Sequence, residues 1–231
     1  MTEQKNNNTV KEIIDFFKDL AIIVIVVKII TIFFVSLFII NGQSMYASYY
    51  DKEFIMVDRF SLNTFWWLKK QNIKRWDVVV LEPEVDKNKK YFIKRVIGLP
   101  GEDLKIENWQ VYIKKVWAKK FEKLDEKYLD KENYWHTKTR VDSITYHIPK
   151  WKYFVMWDNR NHSTDSRECF YTCNWKRDNF IDSDKIVWKV LIDFGYFNYR
   201  NFSFTHPVLK KNWKAIDTSP RWTNSPDSYN Y

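Results

Sequence analysis

Tyr91-Phe92-Ile93-Lys94-Arg95-Val96-Ile97-Gly98-Leu99-Pro100-Gly101-Glu102 reads as a strand running into a Leu-Pro-Gly turn. Apolar, β-branched and aromatic residues surround one lysine and one arginine, and the Pro-Gly pair stops the run. In a half-buried strand successive side chains face opposite ways, so Lys94 on an apolar face leaves Arg95 on the other, exposed one. The same texture recurs on both sides. Phe54–Val57, Asp77–Leu81, Asp103–Ile106, Val111–Ile113, Ser143–Ile148, Tyr153–Met156 and Lys185–Leu191 are short runs rich in Val, Ile, Tyr and Phe, and this pattern predicts a mainly β domain. Ala118–Tyr134 is different. Phe121, Leu124 and Tyr128 recur there at helical spacing among mixed charges, which fits a short surface helix or an ordered insertion equally.

Upstream, Leu20–Ile40 reads LAIIVIVVKIITIFFVSLFII, with Lys28 as its only charge. As one helix it is about 31 Å long, the thickness of a hydrocarbon core. It is too long for a signal-peptide core and no small-x-small site follows, so the sequence predicts an uncleaved transmembrane anchor. Lys28 has to snorkel or find a partner. Lys5, Lys11 and Lys18 precede the span and only Lys52 and Arg59 follow it closely, which orients the N-terminus to the cytoplasm. The expected layout is a cytoplasmic segment 1–19, an anchor 20–40, an extracytoplasmic β-rich domain 41–200, and a polar tail 201–231 that is disordered after about 217 on its composition.

A chain of 231 residues has room for one such domain. Its 38 Lys and Arg exceed its 29 Asp and Glu to give +9, but the two signs are interleaved, so nucleic acid is not the expected partner. Two cysteines exclude a disulfide scaffold and a Cys-rich metal site, and His136, His147, His162 and His206 lack ligand spacing; no metal or cofactor is implied. Cys169 and Cys173 either close a small disulfide or remain free thiols.

Two further boxes carry chemistry. Asn41-Gly42-Gln43-Ser44-Met45-Tyr46-Ala47-Ser48 follows the apolar span, and Met156-Trp157-Asp158-Asn159-Arg160-Asn161-His162-Ser163-Thr164-Asp165-Ser166-Arg167 is a dense polar stretch after a strand. A serine attacks an amide only if a base takes its proton, and a lysine serves only when neutral. Near pH 8 it must titrate well below its ordinary value of about 10.4, a difference worth roughly 3 kcal/mol, which burial among apolar groups supplies.

These two boxes and the Lys94 strand, in this order behind an apolar anchor, resemble the type I signal peptidases, membrane-bound Ser/Lys proteases that remove signal peptides from exported proteins. The resemblance runs from about Ile40 to Lys189. It implies a mainly β catalytic domain of the signal-peptidase type behind one N-terminal transmembrane helix. It implies Ser44 as nucleophile, Lys94 as general base and Ser163 as the hydroxyl that orients the lysine. Asp165 and Arg167 match the family's supporting polar pair. Gly42 stands where some members have a hydroxyl, so the oxyanion rests on backbone N–H groups such as that of Ser44. Ile40, Met45, Tyr49, Phe92 and Ile93 would line shallow pockets for small substrate side chains. Ala47-Ser48 replaces the family's usual Pro-Thr, which loosens the backbone after the nucleophile. The implied partners are signal-peptide-bearing preproteins, the lipid bilayer and a secretion translocon. The alternatives are a Ser/Lys protease dedicated to one secretion or pilus substrate, and a catalytically inactive, membrane-tethered binding protein.

Composition holds one anomaly. The chain has 4 Gly and 12 Trp, where average usage predicts roughly 16 glycines. Trp76, Trp109 and Trp151 fall where turns ask for glycine, and the resemblance places glycine there and at Trp157 and Trp188. The sequence reads as that of a gene whose UGA codons mean glycine.

Overall fold

The computed structural model describes residues 2–46, 48–60, 73–82, 91–130, 133, 137, 139, 141–161, 165–171, 178–205 and 221–222. One helix, α1 (Thr2–Phe33), leads into strands β1 (Val35–Ile39), β2 (Phe54–Asp58), β3 (Val78–Leu81), β4 (Phe92–Gly98), β5 (Asp103–Glu107), β6 (Gln110–Lys114) and β7 (Glu122–Lys123). Then come β8 (Ser143–His147), β9 (Lys152–Met156), β10 (Ile181–Asp182), β11 (Ile186–Asn198), β12 (Ser203–Thr205) and β13 (Arg221–Trp222). The domain is mainly β. A curled nine-stranded sheet runs β1-β2-β11-β3-β4-β9-β10, with β12 and β13 also paired to β11, and a four-stranded sheet runs β7-β6-β5-β8.

The apolar alternation that marked the strands is what packs them. In β5 and β6, Leu104, Ile106, Val111 and Ile113 turn inward while their neighbours stay half-exposed, the period-two pattern of a one-sided sheet. β4 has no such alternation: all its residues from Lys94 to Gly98 are buried. It pairs with β3 on one side and β9 on the other, and a core cluster lies on each face, one around Ile97 and Met156 and one around Val96 and Val155. Arg95 therefore does not reach solvent as the alternation predicted. Its face is covered, and its charge is met by an acid.

The apolar segment 20–40 also differs from the expectation of one continuous helix. α1 stops at Phe33, and Val35–Ile39 pairs antiparallel with β2, Ser36 opposite Val57 and Phe38 opposite Ile55. Val35 and Phe38 suit a strand, and the Phe38 ring packs on Trp188 at 5.0 Å, so this stretch has both a backbone partner and a side-chain partner in the sheet. No helix among the described residues is long and apolar enough to cross a membrane. The apolar part of α1, Leu20–Phe33, is about 21 Å long against a hydrocarbon core of about 30 Å.

Segment 118–134 is an ordered insertion where described. It forms β7 against β6 and a turn in which the Leu129 N–H reaches Glu126 C=O at 3.0 Å. In the tail, β13 pairs with β11, and Arg221 bonds both Asp193 and, at 3.0 Å, the Ser48 carbonyl. That pairing stands where composition predicted structureless chain.

Candidate active site

The chain leaves β1 at Ile39 and turns through Gly42, which has φ 104 and donates its N–H to Asp51 Oδ1 at 2.7 Å. A Cβ at Gly42 would meet nothing within 4 Å, so the backbone angle and not crowding calls for glycine there. Ser44 follows, half-buried, in a turn closed by the Tyr46 N–H to Gln43 C=O at 3.2 Å. No acceptor among the described residues takes the Ser44 N–H. The loop after β9 grips this turn from across the sheet. Asn159 donates its N–H to Ser44 C=O at 3.0 Å and its side-chain amide to Gln43 C=O at 3.2 Å.

Lys94 sits in β4 opposite Val79 of β3, with no exposed surface. Its Nζ has no hydrogen-bond partner among the described residues. Aromatic rings surround it instead, with the Trp157 centroid at 3.2 Å, Phe92 at 4.6 Å and Phe170 at 5.5 Å. Burial among these groups pushes its pKa well below the ordinary lysine value, against the opposing pull of the Asp165 charge. Desolvation disfavours the ammonium and so eases its loss of a proton.

Among the described residues, the polar box surrounds these two without joining either by a side-chain bond. Asp158 and Arg95 form a buried bidentate pair, with Arg95 Nη2 at 2.6 Å and Nε at 2.9 Å, and the Arg95 guanidinium lies over the Tyr128 ring at 4.1 Å. Arg160, also buried, donates to Trp157 C=O at 2.8 Å, to Tyr128 Oη at 2.7 Å, to Thr137 Oγ1 at 3.0 Å and to the Glu126 carboxylate. Asp165 accepts two bonds from the Arg167 side chain at 2.9 Å, one from the Arg167 N–H at 3.0 Å and one from the Trp157 N–H at 3.1 Å. Burial pushes the Asp165 pKa up, but the Arg167 charge and these bonds reverse that, holding the carboxyl below its usual range. Ser163 and Ala47 lie outside the described residues. Cys169 is disulfide-bonded, and Cys173 is the only other cysteine in the chain.

A cavity of about 120 Å³ opens beside Ser44. Of the expected pocket residues, Ile40, Phe92 and Ile93 line it, whereas Met45 and Tyr49 are fully buried in the core and do not. Phe38, Ile39, Asn41, Ile55, Val80, Tyr91 and Trp157 complete its wall. The sequence did not single these out because β1 was read as helix, which hid Phe38 and Ile39. Glu126 and Tyr128 were hidden for another reason: their partners lie more than thirty positions away, in Arg160. Among the described residues no cluster of His, Cys, Asp or Glu could hold a metal ion. Ser44 thus lines an apolar cavity whose wall includes Trp157, the ring that covers the desolvated Lys94 amine.

The family model of signal peptidase, peptidase S26, matches residues 13–193. The chain belongs to this family. It is accordingly a type I signal peptidase, a serine peptidase whose reaction is the cleavage of signal peptides. Signal peptidase I P of Bacillus subtilis subsp. natto is 33% identical over 168 residues, covering 71% of this chain and 83% of the relative. Signal peptidase I U of Bacillus subtilis (strain 168) is 37% identical over 154 residues, covering 64% of this chain and 74% of that relative. A signal peptidase I crystal structure from Enterococcus faecalis V583 aligns with 52% of this chain and 97% of its own at 26% identity, with a TM-score of 0.38.

Proposed function

We propose that Ser44 and Lys94 are the catalytic dyad with which this signal peptidase cleaves exported preproteins at the membrane. The observation that carries this reading is the state of Lys94: an amine without exposed surface, without a hydrogen-bond acceptor among the described residues and with a depressed pKa. A buried lysine in a purely structural role is normally paired, whereas one that serves as a base must give up its proton.

The reaction follows from the two groups. Ser44 Oγ attacks the scissile carbonyl carbon as its proton passes to the Lys94 amine. The resulting oxyanion rests on backbone donors, the Ser44 N–H among them. The C–N bond then breaks, and the leaving amine takes the proton from Lys94. Water attacks the acyl-serine and gives a proton to Lys94. Collapse returns that proton to Ser44 and releases the peptide acid, which loses its remaining proton to solvent. Lys94 Nζ faces the Trp157 ring at rest, so the first transfer requires it to turn toward Ser44. Ser163 would orient it, while Asp165 and Arg167 fix the backbone of Trp157 and so the loop that holds the site. Ile40, Phe92 and Ile93 shape the cavity that Ser44 also lines.

The membrane placement rests on α1. Its large apolar side chains from Val10 to Phe33 are between 43% and 63% exposed, all round the helix, a surface that lipid covers and water does not. A run shorter than the bilayer is accommodated by local thinning and by snorkelling of flanking residues, and Lys18 and Lys28 are placed for the latter. With Lys5, Lys11 and Lys18 retained on the cytoplasmic side, the catalytic domain lies outside. Cleavage of a preprotein by the full chain in vesicles tests the assignment: Ser44→Ala should abolish it, and undiminished cleavage would remove Ser44 from the role.

A further inference from the structure

Three tryptophans stand in turns whose backbone is left-handed. Trp109 (φ 63) follows Asn108 (φ 48) in the two-residue connection between β5 and β6. Positive φ at both central residues is the type I′ hairpin, whose preferred sequence is Asn-Gly because glycine reaches the second position without a Cβ clash. Trp76 (φ 76) is the third residue of a turn closed by the Asp77 N–H to Lys74 C=O at 3.2 Å. Trp151 (φ 72) is the third residue of a turn closed by the Lys152 N–H to Pro149 C=O at 3.3 Å. Arg75 and Lys150, in second position, have no positive φ, so both are type II turns, which ask for glycine in third position. The chain obeys that rule elsewhere. In Leu99-Pro100-Gly101-Glu102 the third residue has φ 81 and the Glu102 N–H reaches Leu99 C=O at 3.2 Å.

At the two outer turns burial does not account for tryptophan. Trp151 is 77% exposed and Trp109 55%, so their rings leave the core to stand in water. Lys52 also has a positive φ of 70, but its ammonium is fixed on Asn41 at 2.5 Å. Trp157 poses a different conflict, of space. Its ring caps the Lys94 amine and lines the same cavity as Ser44, where a residue without a side chain leaves the amine open to the hydroxyl. The composition, 4 Gly against 12 Trp, points the same way.

We infer that the fold is built for glycine at the positions of Trp76, Trp109, Trp151 and Trp157, that UGA codons stand there in the gene, and that its cell reads them as glycine. UGA is a sense codon in several variant codes, tryptophan in some and glycine in others, so a gene read with the wrong table gives this chain. Trp188 is left out of the inference: it lies in strand β11 without a positive φ, its ring packed at a tilt against Phe38 and Tyr91. The effect assigned to Trp157 rests on the Ser44/Lys94 reading; the codon inference does not.

The test is mass spectrometry of the protein isolated from cells that carry the gene, on the tryptic peptides Ile106–Lys114 and Tyr153–Arg160 and on longer peptides across Trp76 and Trp151. Glycine masses at all four positions are expected. A tryptophan mass at any of them, or a UGG codon, overturns the inference whatever Ser44 and Lys94 do. In the full chain, Trp109→Gly and Trp151→Gly should each raise the unfolding temperature, and a fall in either would contradict the turn argument. Trp157→Gly should raise preprotein cleavage at least about tenfold by letting base and nucleophile meet, and unchanged cleavage in a chain that Ser44→Ala silences would refute the occlusion.

Discussion

The Asn159 backbone N–H is bonded to the Ser44 carbonyl at 3.0 Å, and its side-chain amide to the Gln43 carbonyl at 3.2 Å. The loop after β9 therefore holds the peptide units on either side of the proposed nucleophile. The Ser44 amide, which would meet the oxyanion, lies between the two carbonyls that Asn159 fixes. Asn159→Ala removes the side-chain half of this grip. Misplacement of a reacting group by about 1 Å costs about 100-fold in rate, so kcat should fall between about tenfold and that limit while KM changes little. Steady-state cleavage kinetics distinguish this from a binding defect, in which KM would carry the loss.

Arg160 anchors the same loop from below, and Glu126 is its counter-charge; both side chains are buried. Removing one partner of a buried pair leaves the other charge uncompensated, at a cost of about 3–5 kcal/mol. Glu126→Ala should lower the unfolding free energy by that order, read in urea or thermal unfolding, and Glu126→Gln should lose less because its amide oxygen still accepts a bond.

The pH behaviour follows from Lys94. Its pKa is lowered on folding by burial, so cleavage should rise with pH through that depressed value and then level off. A rate that climbs steadily to about pH 10, the range of an ordinary lysine, would show an undepressed base. The stability sign is opposite to that of a salt-bridged lysine. The unfolded chain binds this proton more readily than the folded one, so stability is lost as pH falls from the ordinary lysine range toward the folded pKa, and the loss is complete below it. Lys94→Met should be inactive yet more stable, with an advantage in unfolding temperature that is largest at low pH and shrinks as pH rises toward 10.4 or so.

Specificity should follow from the cavity beside Ser44, about 120 Å³ in volume and walled by Ile40, Phe92 and Ile93. An extended substrate strand sends alternate side chains to one side. As the family resemblance implies, small residues, chiefly Ala, are expected one and three positions before the scissile bond. Phe at either position should cut kcat/KM by about 100-fold or more in a peptide panel. Equal cleavage after large side chains would contradict the reading.

Much of this architecture was legible in the chain. All eight strand runs became strands to within about a residue at their starts, because alternation and Val/Ile/aromatic content are local signals. The Leu99–Glu102 turn was legible as Pro-Gly chemistry, and the boxes around Ser44 and Lys94 were legible as the family's motifs. What failed was non-local. Val35–Ile39 is as apolar as the helix before it, and only its partner β2 makes it a strand. Arg95 looked exposed because one strand cannot report that its second face is covered; Asp158, sixty-three positions later, supplies the charge that lets it be buried. Glu126 and Tyr128 lay in a stretch with a plausible helical spacing, and what fixes them is a guanidinium from the polar box.

The measurement that bears most directly on the dyad is cleavage of a preprotein by full-length Ser44→Ala and Lys94→Ala, each made in the chain as written and with Trp157→Gly. In whichever background the parent cleaves, both variants should show no turnover while unfolding cooperatively, since members of a catalytic unit fail together. Cleavage retained by a folded Lys94→Ala variant would contradict the account.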